Sequence, residues 1–217
     1  MTRTKICGIT RREDAVAAVE AGAHALGFIF VQSSPRYIAP DRASAIIRAL
    51  PPYVSTVGVF VNASRGQILT AIQVSRVSAI QLHGEETPDQ VVGFPCNVTK
   101  AFRVKEHFDP AVMEHYDVSA CLLDAYSPMA YGGTGQTFDW ELARKAAGAR
   151  PVILSGGLTP ENVGQAIRTA RPFAVDVASG VELSPGVKDA VKIREFVAAV
   201  RAEDDRLATQ LFGTSGT

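Results

Sequence analysis

Cysteine is scarce in this chain and forms no pattern: Cys7, Cys96 and Cys121 make an odd count without a C-x-x-C pair among 217 residues. That argues against a disulfide framework and against a structural zinc site. The four histidines are scattered and add no metal-ligand spacing, so no metal is expected. Charge of one sign is not in excess, since 22 basic and 22 acidic side chains cancel and no lysine/arginine run occurs. The electrostatic footprint of a nucleic-acid or anionic-membrane partner is therefore missing, and any anionic ligand has to be held locally. No apolar stretch approaches the roughly 18 residues of a membrane-spanning helix. The opening residues Met1-Thr2-Arg3-Thr4-Lys5 lead straight into a strand-like run rather than a secretion signal, so a cytoplasmic protein is expected. No linker-like change of composition divides the chain.

What the chain does have is a repeated alternation. Short β-branched or apolar runs are followed by longer amphipathic stretches, the pattern of βα modules on a parallel sheet. Strands are expected at residues 4–7, 25–30, 56–61, 78–82, 98–102, 120–123, 151–154 and 173–177. These units predict an α/β fold, a (β/α)8 TIM barrel over residues 1–203, with a tail at 204–217 that extends the last helix and then loses order. Helix starts are marked by chemistry: Thr10/Glu13, Ser64/Gln67 and Thr87/Gln90 have capping-box spacing. Thr159-Pro160-Glu161, Thr87-Pro88-Asp89 and Asp109-Pro110 place a capping side chain before a first-turn proline. The longest connections, residues 31–40 and 125–139, are of a length that is often functional.

Two strand-to-helix turns near the end, Ser155-Gly156-Gly157 and Ser179-Gly180, follow the seventh and eighth apolar runs. Bare backbone N–H groups in such turns hold phosphate without a committed lysine, and barrels place their usual phosphate site there. Reacting groups in barrels sit at the C-terminal ends of strands. Cys7 ends the first, Asp124 ends the sixth, His83 follows the fourth, Asp176 lies in the eighth, and Arg36 is on the long loop after the second. Each also has a plainer reading. Cys7 is a small hydrophobe in a strand, Asp124 a helix cap, Arg36 a solvated loop residue, His83 a satisfied core or rim histidine, and an isolated Ser-Gly-Gly a common turn.

Taken in order, Lys5-Ile6-Cys7-Gly8-Ile9-Thr10, Ser34-Pro35-Arg36, Gln81-Leu82-His83-Gly84, Leu123-Asp124, Gly132-Gly133-Thr134-Gly135, Ser155-Gly156-Gly157-Leu158 and Asp176-Val177-Ala178-Ser179-Gly180-Val181-Glu182 resemble the phosphoribosylanthranilate isomerase family. The resemblance spans nearly the whole chain. It implies a metal-free, cofactor-free Amadori rearrangement in tryptophan biosynthesis, with Asp124 as general acid on the furanose oxygen and Cys7 as general base at C2′. It further implies that Arg36 holds the anthranilate carboxylate, that His83 and Asp176 belong to the substrate-binding set, and that backbone around Gly156, Gly157, Ser179 and Gly180 holds the phosphate. Gly132 to Gly135 resemble a mobile cover. The expected partner is a small phosphosugar, with the chain a monomer or homodimer. A related phosphosugar isomerase or epimerase, or a noncatalytic phosphosugar-binding barrel, would share the anion site but would not require both Cys7 and Asp124.

The implied chemistry inverts ordinary acidity. With reference pKa values of ~3.9 for a carboxyl and ~8.5 for a thiol, both required states coexist at pH 7 in a fraction on the order of 10⁻⁵ to 10⁻⁴, a cost of about 6 kcal/mol. A lowered thiol value requires nearby positive potential. Lys5 shares the inward parity of Cys7 but is deeper in the barrel, so the sequence leaves that source open.

Overall fold

In the computed structural model, which describes residues 1–104, 108–125, 140–146 and 150–212, eight parallel strands close into a barrel in chain order. They are β1 (Arg3–Cys7), β2 (Ala25–Ile29), β3 (Ser55–Phe60), β4 (Ala79–Leu82), β5 (Asn97–Val104), β6 (Ala120–Ala125), β7 (Val152–Leu154) and β8 (Ala174–Val177). Closure is the pairing of β1 with β8, which sets Lys5 opposite Asp176 and Ile6 opposite Val177. The expected strands are all present, with ends displaced by one or two residues.

Strand side chains alternate between two environments because successive Cβ atoms point to opposite faces of a sheet. Ile6, Leu26, Phe28, Ile80, Leu82, Cys121, Leu123, Val175 and Val177 join one buried cluster with helix residues such as Ala15, Ile68, Ile167 and Phe196. A fully buried Leu, Ile or Phe contributes roughly 1.5–3 kcal/mol relative to exposure, so this ring of contacts between strands and helices dominates the core. Lys5, Cys7, Gln81, Asp124 and Asp176 occupy the alternate positions and are buried inside the barrel. Polar groups are tolerated there because they partner one another, as described below.

The helices are α1 (Arg12–Ala21), α2 (Pro40–Ile47), α3 (Arg65–Ser75), α4 (Trp140–Ala146), α5 (Val163–Ala170) and α6 (Ala190–Phe212). The Ser64/Gln67 box forms at the start of α3 and the Thr87/Gln90 box forms as well. The latter opens only a 3₁₀ turn, Pro88–Gln90, and Asp109 caps another, Pro110–His115, so helical starts are present where α-helices are not. The Thr10/Glu13 box does not form. Arg11 is the N-cap of α1 without a side-chain cap, because the Thr10 hydroxyl donates instead to the Gly186 carbonyl at 2.5 Å. Similarly, α5 starts later than Thr159-Pro160 implies. Asn162 precedes the helix, accepting from the Thr159 N–H and donating to the Gly157 carbonyl, both at 2.8 Å, and so braces the loop after β7.

After β8 a 3₁₀ turn, Ser179–Val181, leads into a small hairpin of β9 (Glu182–Ser184) and β10 (Val187–Lys188). Helix α6 continues past residue 203, where Asp204 accepts from the backbone N–H and hydroxyl of Thr2 at 2.5 and 2.8 Å. Among the described residues no helix is long and apolar enough to cross a membrane.

Candidate active site

The C-terminal mouth of the barrel gathers the residues singled out by position. Cys7, at the end of β1, is 6% exposed, and Asp124, near the end of β6, is 2% exposed. Burial pushes the Cys7 thiol up. Lys5 opposes that rise, the Asp176 carboxylate adds to it, and Lys188 again opposes it, the net result being a raised value. Lys5 and Lys188 thus supply the positive potential that the sequence left unidentified. Lys5 is close enough to act although it lies deeper.

Lys5 is itself fully engaged. Its Nζ donates to both Asp176 oxygens at 2.9 Å and to Gln81 Oε1 at 3.0 Å. Burial alone would lower the Lys5 value, but the Asp176 carboxylate and the Cys7 thiol outweigh it and hold the ammonium above its ordinary range. Asp124 Oδ2 lies 3.2 Å from His83 Nε2, and His83 Nδ1 lies 2.8 Å from Gln81 Nε2. Both ring nitrogens of His83 are therefore occupied by protein, and Asp176 is shared with Lys5.

Arg36 sits on the loop after β2, where its N–H donates to Ser34 Oγ at 3.1 Å and Tyr37 N–H donates to the Ser34 carbonyl at 3.0 Å, so that Ser34-Pro35-Arg36-Tyr37 forms a hydrogen-bonded turn. Its guanidinium is not free: Nε and Nη2 grip Glu182 at 2.8–3.1 Å. Glu182 also accepts from Lys188 Nζ at 2.8 Å, and Lys188 Nζ donates to the Ala178 carbonyl at 3.0 Å. Burial would raise the Glu182 carboxyl, but Arg36 and Lys188 together hold it below its ordinary value. Lys188 is pushed down by burial, with Glu182 and Cys7 opposing. The Nη1 edge of Arg36 makes no hydrogen bond to the described residues, so a second two-point fork remains for a carboxylate.

The two glycine turns adjoin. Gly156 and Gly157 have φ of 88° and 63°, a left-handed path that a Cβ disfavours, and their N–H groups donate to none of the described residues. A Cβ on Gly180 would lie 1.9 Å from the Leu158 carbonyl oxygen, so only glycine lets the turn after β8 pack onto the turn after β7. Ser179 and Gly180 begin the 3₁₀ turn, whose first N–H groups have no partner within it.

Of the residues singled out in the sequence, Cys7, Asp124, His83 and Asp176 share one buried set, while Arg36 joins it through Glu182, Lys188 and the charge that Lys188 places near Cys7. The Gly132 to Gly135 segment lies outside the described residues. Sequence reasoning gave no part to Gln81, Glu182 or Lys188. Gln81 had a signal, being a polar residue inside an apolar strand at the parity of His83; Lys188, on a short hairpin, had none. No cluster of three or more His, Cys, Asp or Glu suited to a metal occurs among the described residues.

Known proteins resemble this chain in both sequence and fold. The family model for N-(5′-phosphoribosyl)anthranilate (PRA) isomerase matches residues 4–199. The N-(5′-phosphoribosyl)anthranilate isomerase of Geobacter metallireducens is 51% identical over 202 residues, covering 93% of this chain and all of that protein. A phosphoribosyl anthranilate isomerase crystal structure from Thermus thermophilus superposes with a TM-score of 0.86 at 42% identity, covering 93% of this chain and 99% of the other. Another isomerase structure, solved with reduced 1-(o-carboxyphenylamino)-1-deoxyribulose 5-phosphate, gives 0.80 at 41%, covering 93% and 100%. Similarity that runs through every strand of the barrel at this identity leaves one assignment: the chain belongs to the N-(5′-phosphoribosyl)anthranilate isomerase family.

Proposed function

We propose that this chain carries out the isomerisation for which its family is named, the Amadori rearrangement of N-(5′-phosphoribosyl)anthranilate in cytoplasmic tryptophan biosynthesis, with Asp124 as general acid and Cys7 as general base. The carboxyl of Asp124 gives its proton to the furanose ring oxygen as the C1′–oxygen bond breaks. The anthranilate nitrogen lone pair moves into a C=N bond, giving a protonated Schiff base. The Cys7 thiolate then takes the C2′ proton, the C–H electrons form C1′=C2′, and the C=N electrons return to nitrogen. The resulting enolamine tautomerises to the ketone. The proton on Cys7 and the vacancy on Asp124 are restored through solvent or product.

The observation that carries this reading is the placement of a thiol and a carboxyl near the ends of β1 and β6 of one barrel, with Lys5 linked to Asp124 by hydrogen bonds through Gln81 and His83 and its charge acting on Cys7. A phosphate is received by the N–H groups of Gly156, Gly157, Ser179 and Gly180, in keeping with the anion-binding turns of other barrels. The open edge of Arg36 takes the anthranilate carboxylate. Each Asp176 oxygen keeps a further lone pair beyond Lys5 for the sugar or the anthranilate nitrogen, and His83 borders the substrate beside Asp124. The complex of the relative with its reduced product analogue supports a phosphosugar ligand of this size.

The test is the loss of anthranilate fluorescence when purified, reduced protein meets N-(5′-phosphoribosyl)anthranilate. Cys7→Ser and Asp124→Asn are each expected to lower kcat by at least about 10²-fold with folding intact. Near-normal turnover in either variant removes that residue from its role, and no fluorescence change with the parent protein would favour a binding barrel.

A further inference from the structure

The proposed chemistry makes no use of Gln81, yet Gln81 holds the centre of a chain of four buried side chains. Lys5 Nζ lies 3.0 Å from Gln81 Oε1, Gln81 Nε2 lies 2.8 Å from His83 Nδ1, and His83 Nε2 lies 3.2 Å from Asp124 Oδ2. None of the four residues is more than 8% exposed. The direction of every bond follows from the one end whose chemistry is unambiguous. An ammonium only donates, so the Gln81 atom facing Lys5 is the oxygen. Turning the amide over would set NH₂ against NH₃⁺. The amide nitrogen therefore faces His83 and donates, which leaves Nδ1 without a hydrogen. The imidazole then carries its hydrogen on Nε2 and donates it to Asp124 Oδ2.

We propose that Lys5 and Gln81 are positioning residues that lock His83 as its Nε2–H tautomer and thereby confine the acidic proton of Asp124 to Oδ1, the oxygen left for the sugar. This rests on the assignment of Asp124 as the acid. A proton on Oδ2 would meet the His83 N–H donor against donor. In the opposite tautomer a bare Nε2 would draw the carboxyl proton onto Oδ2 and turn the acid away from the furanose oxygen. The lock therefore acts on the direction of proton delivery and leaves substrate affinity alone.

The experiment is ¹⁵N NMR of histidine-labelled, substrate-free protein near neutral pH, with His83 identified by its disappearance in His83→Asn. The expected spectrum has a pyridine-type Nδ1 and a protonated, pyrrole-type Nε2. Gln81→Glu keeps the bond from Lys5 but presents an oxygen to His83, so the expected tautomer reverses to Nδ1–H. The same variant is expected to lose at least about 10-fold in kcat while KM stays within about threefold, the signature of an interaction made in the transition state. An Nδ1–H tautomer in the parent protein, or an unreversed one in Gln81→Glu, overturns the proposal. Should Gln81→Glu not fold, Gln81→Leu replaces it: a mixture of tautomers is expected, and retention of Nε2–H alone overturns the lock. Full turnover in Asp124→Asn sinks the acid assignment by itself, whereas the tautomer, measured without substrate, stands or falls separately.

Discussion

The ammonium of Lys5 lies 2.9 Å from both carboxylate oxygens of Asp176 on the neighbouring strand, beneath the thiol of Cys7. The pair places a cation and an anion near one titrating sulfur. Their opposed effects explain why burial prevails and the substrate-free thiol stays above its ordinary value. Deprotonation of Cys7 thus draws on Lys5 and Lys188, with Asp176 working against them.

Alkylation of Cys7 reports this balance. Modification by iodoacetamide is expected to be slow at neutral pH and to accelerate only on the alkaline side of the ordinary thiol value, because the raised group keeps its proton to higher pH. Asp176→Asn removes the opposing negative charge and is expected to speed labelling by roughly 3- to 10-fold through a larger thiolate fraction. Peptide mapping of Cys7 in a Cys96→Ser background measures it. An unchanged or slower rate would show that Asp176 does not restrain the thiol.

Arg36 is expected to act on binding. Its Glu182 partner orients the guanidinium and leaves the Nη1 edge outward. Loss of a charge-assisted two-point contact of about 1.5–3 kcal/mol predicts a rise in KM of about 10- to 100-fold in Arg36→Met, with kcat little changed. Glu182→Gln is expected to raise KM in the same direction but less, since the anchor loses its charge and keeps its shape. Steady-state kinetics separates the two constants, and an unchanged KM in Arg36→Met would assign the carboxylate to another residue.

Stability in acid is tied to Glu203 on α6. Arg168 on α5 and then Arg206 hold its carboxyl down from 4.5 to about 2 through hydrogen bonds of 2.6–3.1 Å. A folded value below the unfolded one means that the contribution is present above pH 4.5 and is lost as pH falls through about 2. Both arginines are about half exposed, so solvent screening reduces the effect to about 1–2 kcal/mol. Glu203→Gln is expected to lower Tm near neutral pH by about 2–8 °C, and the gap is expected to narrow as pH approaches about 2. Calorimetry across that range checks it; a gap independent of pH would assign the loss to packing instead.

Much of this architecture was legible in the chain. Short β-branched or apolar runs set between longer amphipathic stretches located every strand, because parallel strands covered by helices read as nearly continuous apolar segments. The Ser64 and Thr87 boxes were readable because capping is local. Thr10 was misread for the converse reason: a hydroxyl that suits a helix start was taken by the Gly186 carbonyl, which sequence distance hides. The 3₁₀ turns after β4 and β5 show the same limit, since a start signal does not specify how many turns follow.

The sequence by itself determined which strand ends carry Cys7, Asp124 and the glycine turns, since chain order and strand parity settle those positions. Tertiary structure alone decided their partners. Lys5 meets Asp176 and Arg36 meets Glu182 across separations of 171 and 146 residues. Closing the sheet makes first and last strands neighbours and turns their inward side chains toward one another. A buried charge there persists only if closure brings its counterpart within bonding distance, and residue spacing along the chain does not encode that condition.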